Sequence, residues 1–323
     1  AIEVLDDKLA EIARDLAYLS SFAPLQNAVE SDSEKDTELL AEAFAQFSEH
    51  TNLYDQIRWI DESGMERVRV DSLQEGTEVI PKDRLQDKCK RYYFTDAMRA
   101  DTGEIFVSPL DLNIEQGTIE VPHKPMLRIA SVVVDSRGDR RGIVILNYLG
   151  GLMLEEFRQR AAELPHGISL LNKDGYWLES PVGADEWGFM FGSEATFASR
   201  HPGVWSTIYS DEAGQFATET GLWSFRTVYP LSLRMTSSTG AAGATEASVA
   251  QLRAGEYFWK AVSFDASHAA VSSELRQPML AGVAGVLLLA FLGCLLVAIN
   301  KTKRELADDM HREAQRQIEK AES

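Results

Sequence analysis

Leucine and isoleucine set the first pattern along the chain. Ile2, Leu5, Leu9, Ile12, Leu16 and Leu19 recur three and four residues apart, which lines one face of an α-helix. The pattern predicts a long amphipathic helix over residues 2–29, with a polar break at 31–36. A second helix is predicted from Thr37 to Thr51, with Leu40, Phe44 and Phe47 on one face. The period then changes to two. Residues 54–61 and 66–71 read as strands, with Asp61-Glu62-Ser63-Gly64 as the hairpin turn between them. Pro81 opens a short helix to Lys90, and another is predicted at Tyr93–Ala100. Strands follow at 104–110, 125–135 and 142–149, the last two joined by Ser136-Arg137-Gly138-Asp139. Gly150-Gly151 starts a helix that runs to Ala162. These elements describe an α+β domain built on an antiparallel sheet.

The segment Leu164–Gly167 marks a boundary. Beyond it, Ile168–Leu171 and Tyr176–Glu179 flank Asn172-Lys173-Asp174-Gly175, and a strand pair around an Asp-Gly turn is a strong hairpin signal. A helical region near 194–209 and strands at 215–229 and 256–264 complete a smaller unit. Ser237–Ser248 is rich in Gly, Ala, Ser and Thr and predicts a loop. Residues 266–277 should be helical. Both units run from helix to hairpin to further strands, which predicts two modules in tandem.

Met279–Ile299 carries no charged residue. As a helix rising ~1.5 Å per residue it spans about 30 Å, the thickness of a bilayer core. A transmembrane helix is therefore predicted at 278–299. Lys301, Lys303, Arg304, Arg312 and Arg316 follow it, whereas only Lys260 and Arg276 precede it closely. The positive flank is cytoplasmic, which puts residues 1–277 outside the membrane. In the cytoplasmic helix 300–323, Leu306, Met310, Ala314 and Ile318 fall four apart, a stripe suited to pairing across a dimer axis. The lipid bilayer and a second copy of the chain are the partners implied. Ala1 and Ser323 each sit inside a helical pattern, so further sequence is expected on both sides.

Charge and chemistry narrow the function. The 323 residues carry a net charge of −18, without the basic face of a nucleic-acid binder. Cys89 and Cys294 do not form a disulfide framework, since Cys294 lies in the apolar run. The six histidines are scattered without metal-ligand spacing. There is no Gly-rich phosphate loop and no nucleophile elbow. Neither a catalytic site nor a cofactor is expected, which leaves binding and sensing. Arg128 lies on a predicted strand whose alternation puts it beside Met126, Ala130 and Val132. A guanidinium on an apolar face needs a partner. Two partners fit: a ligand carboxylate or phosphate gripped by two N–H groups, or an internal carboxylate such as Asp111 or Asp96.

Several stretches together resemble double Cache sensors, the tandem PDC or PAS-like domains of two-component histidine kinases and some diguanylate cyclases. They are Arg91-Tyr92-Tyr93-Phe94-Thr95-Asp96-Ala97, the run Gly103–Asn113, Lys124–Ala130 and Arg141–Tyr148. In the second unit they are Asn172–Leu178 and Glu186-Trp187-Gly188-Phe189-Met190-Phe191. The resemblance covers roughly residues 1–278. It implies a stalk helix at 1–36, a membrane-distal module at 37–163 that holds the ligand, and a membrane-proximal module at 164–277. Amino-acid-binding members share a helix motif of Arg, one residue, then Trp-Tyr, with a downstream Asp. Arg91, Tyr93, Phe94 and Asp111 fall at similar positions, with Tyr and Phe in place of the motif's Trp and Tyr. The resemblance thus implies a ligand site of Arg91, Tyr93, Asp111 and Arg128 for a small molecule, anionic or amino-acid-like. The expected function is extracytoplasmic sensing and transmembrane signalling by a histidine kinase. The alternatives are a membrane-bound diguanylate cyclase and a membrane-anchored binding module without catalytic output.

Overall fold

The structure, a computed structural model, describes residues 2–115, 117–181, 183, 185–240, 247–268 and 301. The predicted transmembrane helix at 278–299 lies outside the described residues, as does the cytoplasmic helix 300–323 apart from Lys301. No helix among the described residues is long and apolar enough to cross a membrane. Contacts divide the chain into two units: residues 1–216 with 223–264, and residues 217–222 with 265–323. The cores and cavities below belong to the first.

The long N-terminal helix ends before the predicted residue 29, one residue past Leu19, the last apolar position of its stripe. Helix α1 spans Ile2–Ser20 and α2 spans Ala23–Ser31. Pro24 sits in the first turn of α2; within a continuous helix its ring would clash with the carbonyl of Ser20, and it has no N–H to give. Helix α3, Glu34–Thr51, starts before the predicted Thr37 because the Ser33 side chain caps it, accepting the Asp36 N–H at 3.1 Å.

Strands β1 (Tyr54–Ile60), β2 (Glu66–Ser72) and β3 (Thr77–Val79) follow. The helix expected after Pro81 is a single 3₁₀ turn at Lys82–Arg84. Then come α4 (Tyr92–Ala97), β4 (Ile105–Val107), β5 (Asp111–Leu112), the small hairpin β6 (Ile114–Glu115) and β7 (Thr118–Ile119), β8 (Pro125–Val134), β9 (Arg140–Leu149) and α5 (Gly150–Ala162). The remaining elements are β10 (Ser169–Asn172), β11 (Trp177–Glu179), α6 (Phe197–Arg200), α7 (Pro202–Ser210), β12 (Ala213–Thr218), β13 (Gly221–Val228), β14 (Met235–Ser238), β15 (Gln251–Arg253) and β16 (Trp259–Asp265).

The larger sheet has nine strands in the order β15-β14-β4-β8-β9-β1-β2-β3, with β5 also on β8. Its middle strands are covered on both sides. Ile57, Trp59, Leu127, Ile129, Val144 and Leu146 face the N-terminal helices and share a core with Leu5, Leu9, Ile12, Leu16 and Phe44. Ile60, Ala130, Val132, Ile143 and Ile145 face the other way, onto Tyr92, Tyr93, Phe94 and Ala97 of α4. Because both faces are packed, every residue of β1 is buried. Gly142 allows the close approach of β9 to β1. Its φ is +107°, and a Cβ there would lie 1.9 Å from the carbonyl oxygen of Ile60.

The second sheet has five strands in the order β11-β10-β16-β13-β12. One side packs Leu171, Trp177, Phe197, Ile208, Trp223 and Val262. The other sends Leu170, Leu178, Trp259 and Ala261 into the main core. Part of the predicted Ser237–Ser248 loop is strand. β14 pairs in parallel with β4, Met235 opposite Ile105, and β15 closes a hairpin on β14. Residues late in the chain thus extend the edge of the larger sheet.

Candidate functional site

The side of the larger sheet that faces α4 carries a polar end. On β8 the alternation that points Ala130 and Val132 at α4 also points Arg128 there. Its partner across the ladder is Asn147 of β9. On β1 a register shift between Tyr54 and Gln56 divides the strand. Tyr54 turns to the N-terminal helices, where its hydroxyl donates to Asp15 at 2.5 Å. Gln56 and Arg58 turn to the opposite side. Tyr92 and Tyr93 come from the first turn of α4, Lys88 and Arg91 from the loop before it, and Asp111 and Asn113 from β5 and its end. Together they enclose a cavity of about 30 Å³. Arg91, Tyr93, Asp111 and Arg128 all line it.

The cavity is wired by charge. Arg128 donates to Asp111 at 2.7 Å and to the Asn113 side-chain oxygen at 3.2 Å. Tyr92 gives its hydroxyl proton to the other Asp111 oxygen at 2.9 Å. Of the two internal partners considered for Arg128, Asp111 is the one it holds. Arg58 donates to Glu66 at 3.3 Å, to Asn147 at 2.7 Å and to the Tyr93 hydroxyl at 3.3 Å. Lys88 donates to Gln86 at 2.6 Å and pairs with Glu66 at 3.7 Å. The guanidinium carbons of Arg58 and Arg128 stand 5.5 and 5.4 Å from the centre of the Tyr93 ring, within cation–π range.

Titration directions map the field inside. Burial alone would raise the Tyr93 phenol, yet Arg58, Lys88 and Arg128 hold it below its ordinary value. Burial and then Arg58 push Lys88 down. Burial would lower Arg128, but Asp111 and the two tyrosines keep it charged. Tyr92 goes the other way, driven up by burial and by Asp111. Tyr93, lowered against its own burial, therefore reports the nearby positive charge, whereas Lys88 is lowered first by burial itself.

Arg58, Lys88, Tyr92, Asn113 and Asn147 were not among the residues read from the sequence as a site. Arg58 and Asn147 had a signal of the kind that exposed Arg128, a polar side chain within a buried strand. Among the described residues no group of three or more His, Cys, Asp or Glu side chains is placed to hold a metal ion. A second cavity, of about 370 Å³, lies beside the second sheet and is lined by Trp177, Phe197, Trp223 and Phe264. Arg200 lies 4.8 Å from the centre of the Trp177 ring and grips Asp185 through both nitrogens at 2.5 and 2.6 Å.

The family model for the bacterial histidine kinase sensor domain matches residues 12–236. Among solved structures, the extracellular domain of a chain described as a histidine kinase, vpHK1S-Z8, is 19% identical with a TM-score of 0.66. The match covers 84% of this chain and 90% of that one. A domain of a sensory box/GGDEF family protein from Vibrio parahaemolyticus is 18% identical with a TM-score of 0.63, covering 82% and 91%. The ligand-binding domain of the amino-acid chemoreceptor PctC of Pseudomonas aeruginosa PAO1, in complex with GABA, is 14% identical with a TM-score of 0.50, covering 81% and 94%. None of the curated proteins matches. The family match extends over more than half of the chain, and the chain belongs to the bacterial histidine kinase sensor domains, with a double Cache fold.

Proposed function

We propose that this sensor domain binds a small molecule in the cavity between α4 and the larger sheet, with Arg91, Tyr93, Asp111 and Arg128 as the residues of its site. The observation that carries the proposal is the convergence of Arg128, Arg58 and Lys88 on one buried cavity. Burying a charge costs several kcal/mol even after relaxation, so cations gathered around a cavity are better explained by binding than by packing. The membrane-distal module at 37–163 receives the ligand. The module at 164–277 passes the change to a transmembrane helix at 278–299 and a cytoplasmic helix at 300–323 of a dimeric receptor. The output is phosphotransfer; in the alternative, a diguanylate cyclase or a plain binding module follows the same sensor.

Native mass spectrometry of the 323-residue chain in detergent tests the binding. A small molecule should leave with the wild-type protein and be absent from Arg128→Met. A wild type that carries nothing and accepts nothing from a metabolite mixture contradicts the proposal. Cysteines placed at residues 180 and 240 should react with an impermeant reagent on intact cells, and one at 310 should not. Labelling at 310 contradicts the orientation.

A further inference from the structure

The same cavity discriminates between two kinds of ligand, and the inference rests on the site proposed above. An amino acid needs an acceptor for its ammonium group as well as donors for its carboxylate. The buried carboxylates at the cavity are Asp111, which lines it, and Glu66 just behind, and both are occupied. Asp111 receives Arg128 on one oxygen and Tyr92 on the other. Glu66 receives Arg58 on one oxygen, where Lys88 also pairs, and the Gln86 N–H on the other at 3.0 Å. Glu115 also lines the cavity but is exposed, and Asn113 reaches it at 3.4 Å. Against these stand the buried cations Arg58, Lys88 and Arg128, and Arg91 lines the cavity as well. Among the buried groups at the cavity the three cations outnumber the two carboxylates.

From this excess we infer that the site takes a small organic acid that carries a carboxylate and no ammonium group. A free space of about 30 Å³ holds water but not an organic acid. The ligand enters by exchange: its carboxylate replaces that of Asp111 on the Arg128 guanidinium. β5 pairs with β8 at Met126 and Pro125, and Ser108 and Asn113 give backbone N–H groups to Arg128 and Lys124 on either side, so Asp111 yields its side chain rather than its strand and keeps the Tyr92 hydroxyl as it does so. The exchange swaps one charge-assisted pair for another, so no buried cation is stranded. A ligand ammonium entering the same space would meet Arg58, Lys88 and Arg128 at close range. The buried carboxylates it would meet are already committed to Arg58 or Arg128, and the other carboxylate of the lining, Glu115, is exposed and compensates little.

Matched pairs that differ at the amine test this directly. Propionate, L-lactate and L-alanine form one set, and succinate and L-aspartate another. Each is titrated calorimetrically into the full 323-residue chain in detergent. At least one acid should bind at least tenfold more tightly than its amino-acid counterpart. Asp111→Asn supplies the second arm: it frees Arg128 from competition, so the acid should bind several-fold more tightly. If Asp111 instead receives an ammonium, the same substitution weakens the amino acid. An amino acid that binds as well as its matched acid, with binding lost in Arg128→Met, overturns the inference and leaves the sensory site standing. If no member of either set binds, the inference fails, and the sensory site is then judged by the co-purifying molecule alone. An Asp111→Asn protein that keeps its fold and binds the acid more weakly overturns the exchange.

Discussion

The Tyr257 hydroxyl oxygen accepts the backbone N–H of Leu110 at 3.1 Å, one residue before Asp111 of the cavity. The same oxygen accepts the indole N–H of Trp259 at 3.2 Å. All three residues are buried, and burial pushes the Tyr257 phenol up to about 12. One oxygen thus ties the approach to the ligand site to β16, the middle strand of the second sheet. Replacing Tyr257 with Phe removes the acceptor from two buried donors. An unsatisfied buried group costs ~1–3 kcal/mol, so Tyr257→Phe should lower the urea unfolding free energy by at least that amount. Unchanged stability would show that both donors find other partners. In the full receptor the variant should also weaken the coupling between ligand and output, because Leu110 anchors the backbone from which the Asp111 side chain exchanges.

A double-mutant cycle on Arg128 and Asp111 should show strong coupling. Asp111→Ala leaves the Arg128 guanidinium buried without its carboxylate, and Arg128→Met leaves Asp111 with Tyr92 alone. Removing one partner of a buried pair costs ~3–5 kcal/mol. Removing both with apolar residues of similar size should cost clearly less than the sum. Additive losses in chemical denaturation would mean that the two side chains do not depend on each other.

The Tyr93 phenol gives a pH dependence whose sign is fixed. Its folded value lies below the ordinary value of about 10, burial being outweighed by Arg58, Lys88 and Arg128. Between the two values the unfolded chain holds the proton and the folded one does not, so stability gained there rises with pH. It is complete above about pH 10 and is lost as pH falls through the folded value. Lys88, lowered by burial and then by Arg58, acts with the same sign. Wild type should therefore gain on Tyr93→Phe as pH is raised from 7 towards 10 in urea unfolding. A difference that is flat or shrinking over that range would mean that the positive field does not reach the phenol.

Arg128 was legible because a lone guanidinium interrupts an apolar alternation, and Asp111 and Tyr93 because they fall on a motif. The structure brings these three and Arg91 to one cavity. Arg58 carried the same kind of signal, but the register shift at Tyr54/Gln56 obscured which face it takes. Strict alternation from Tyr54 sets Arg58 and Tyr54 on the same side, whereas the shift sends Tyr54 to the helices. Lys88 was hidden because loops carry no period, and only folding brings it to Glu66. The β1–β2 and β8–β9 pairs follow from local turns, whereas the joining of β1 to β9 is long-range. The place of β14 is long-range too: Met235 meets Ile105 across the whole intervening chain. The break in the first helix rests on Pro24, whose effect is local and readable, and the apolar stripe stops short of it at Leu19.

Whether Arg128 holds the sensed molecule is read from a binding constant. The molecule released from wild-type protein is titrated back onto wild type and onto Arg128→Met, each verified as folded by circular dichroism. Losing a charge-assisted contact costs ~1.5–3 kcal/mol, about one to two decades in affinity. A loss of that size or more is expected in Arg128→Met. A folded Arg128→Met that binds the molecule with wild-type affinity would contradict that role of Arg128 and reduce the Arg128–Asp111 pair to a structural element.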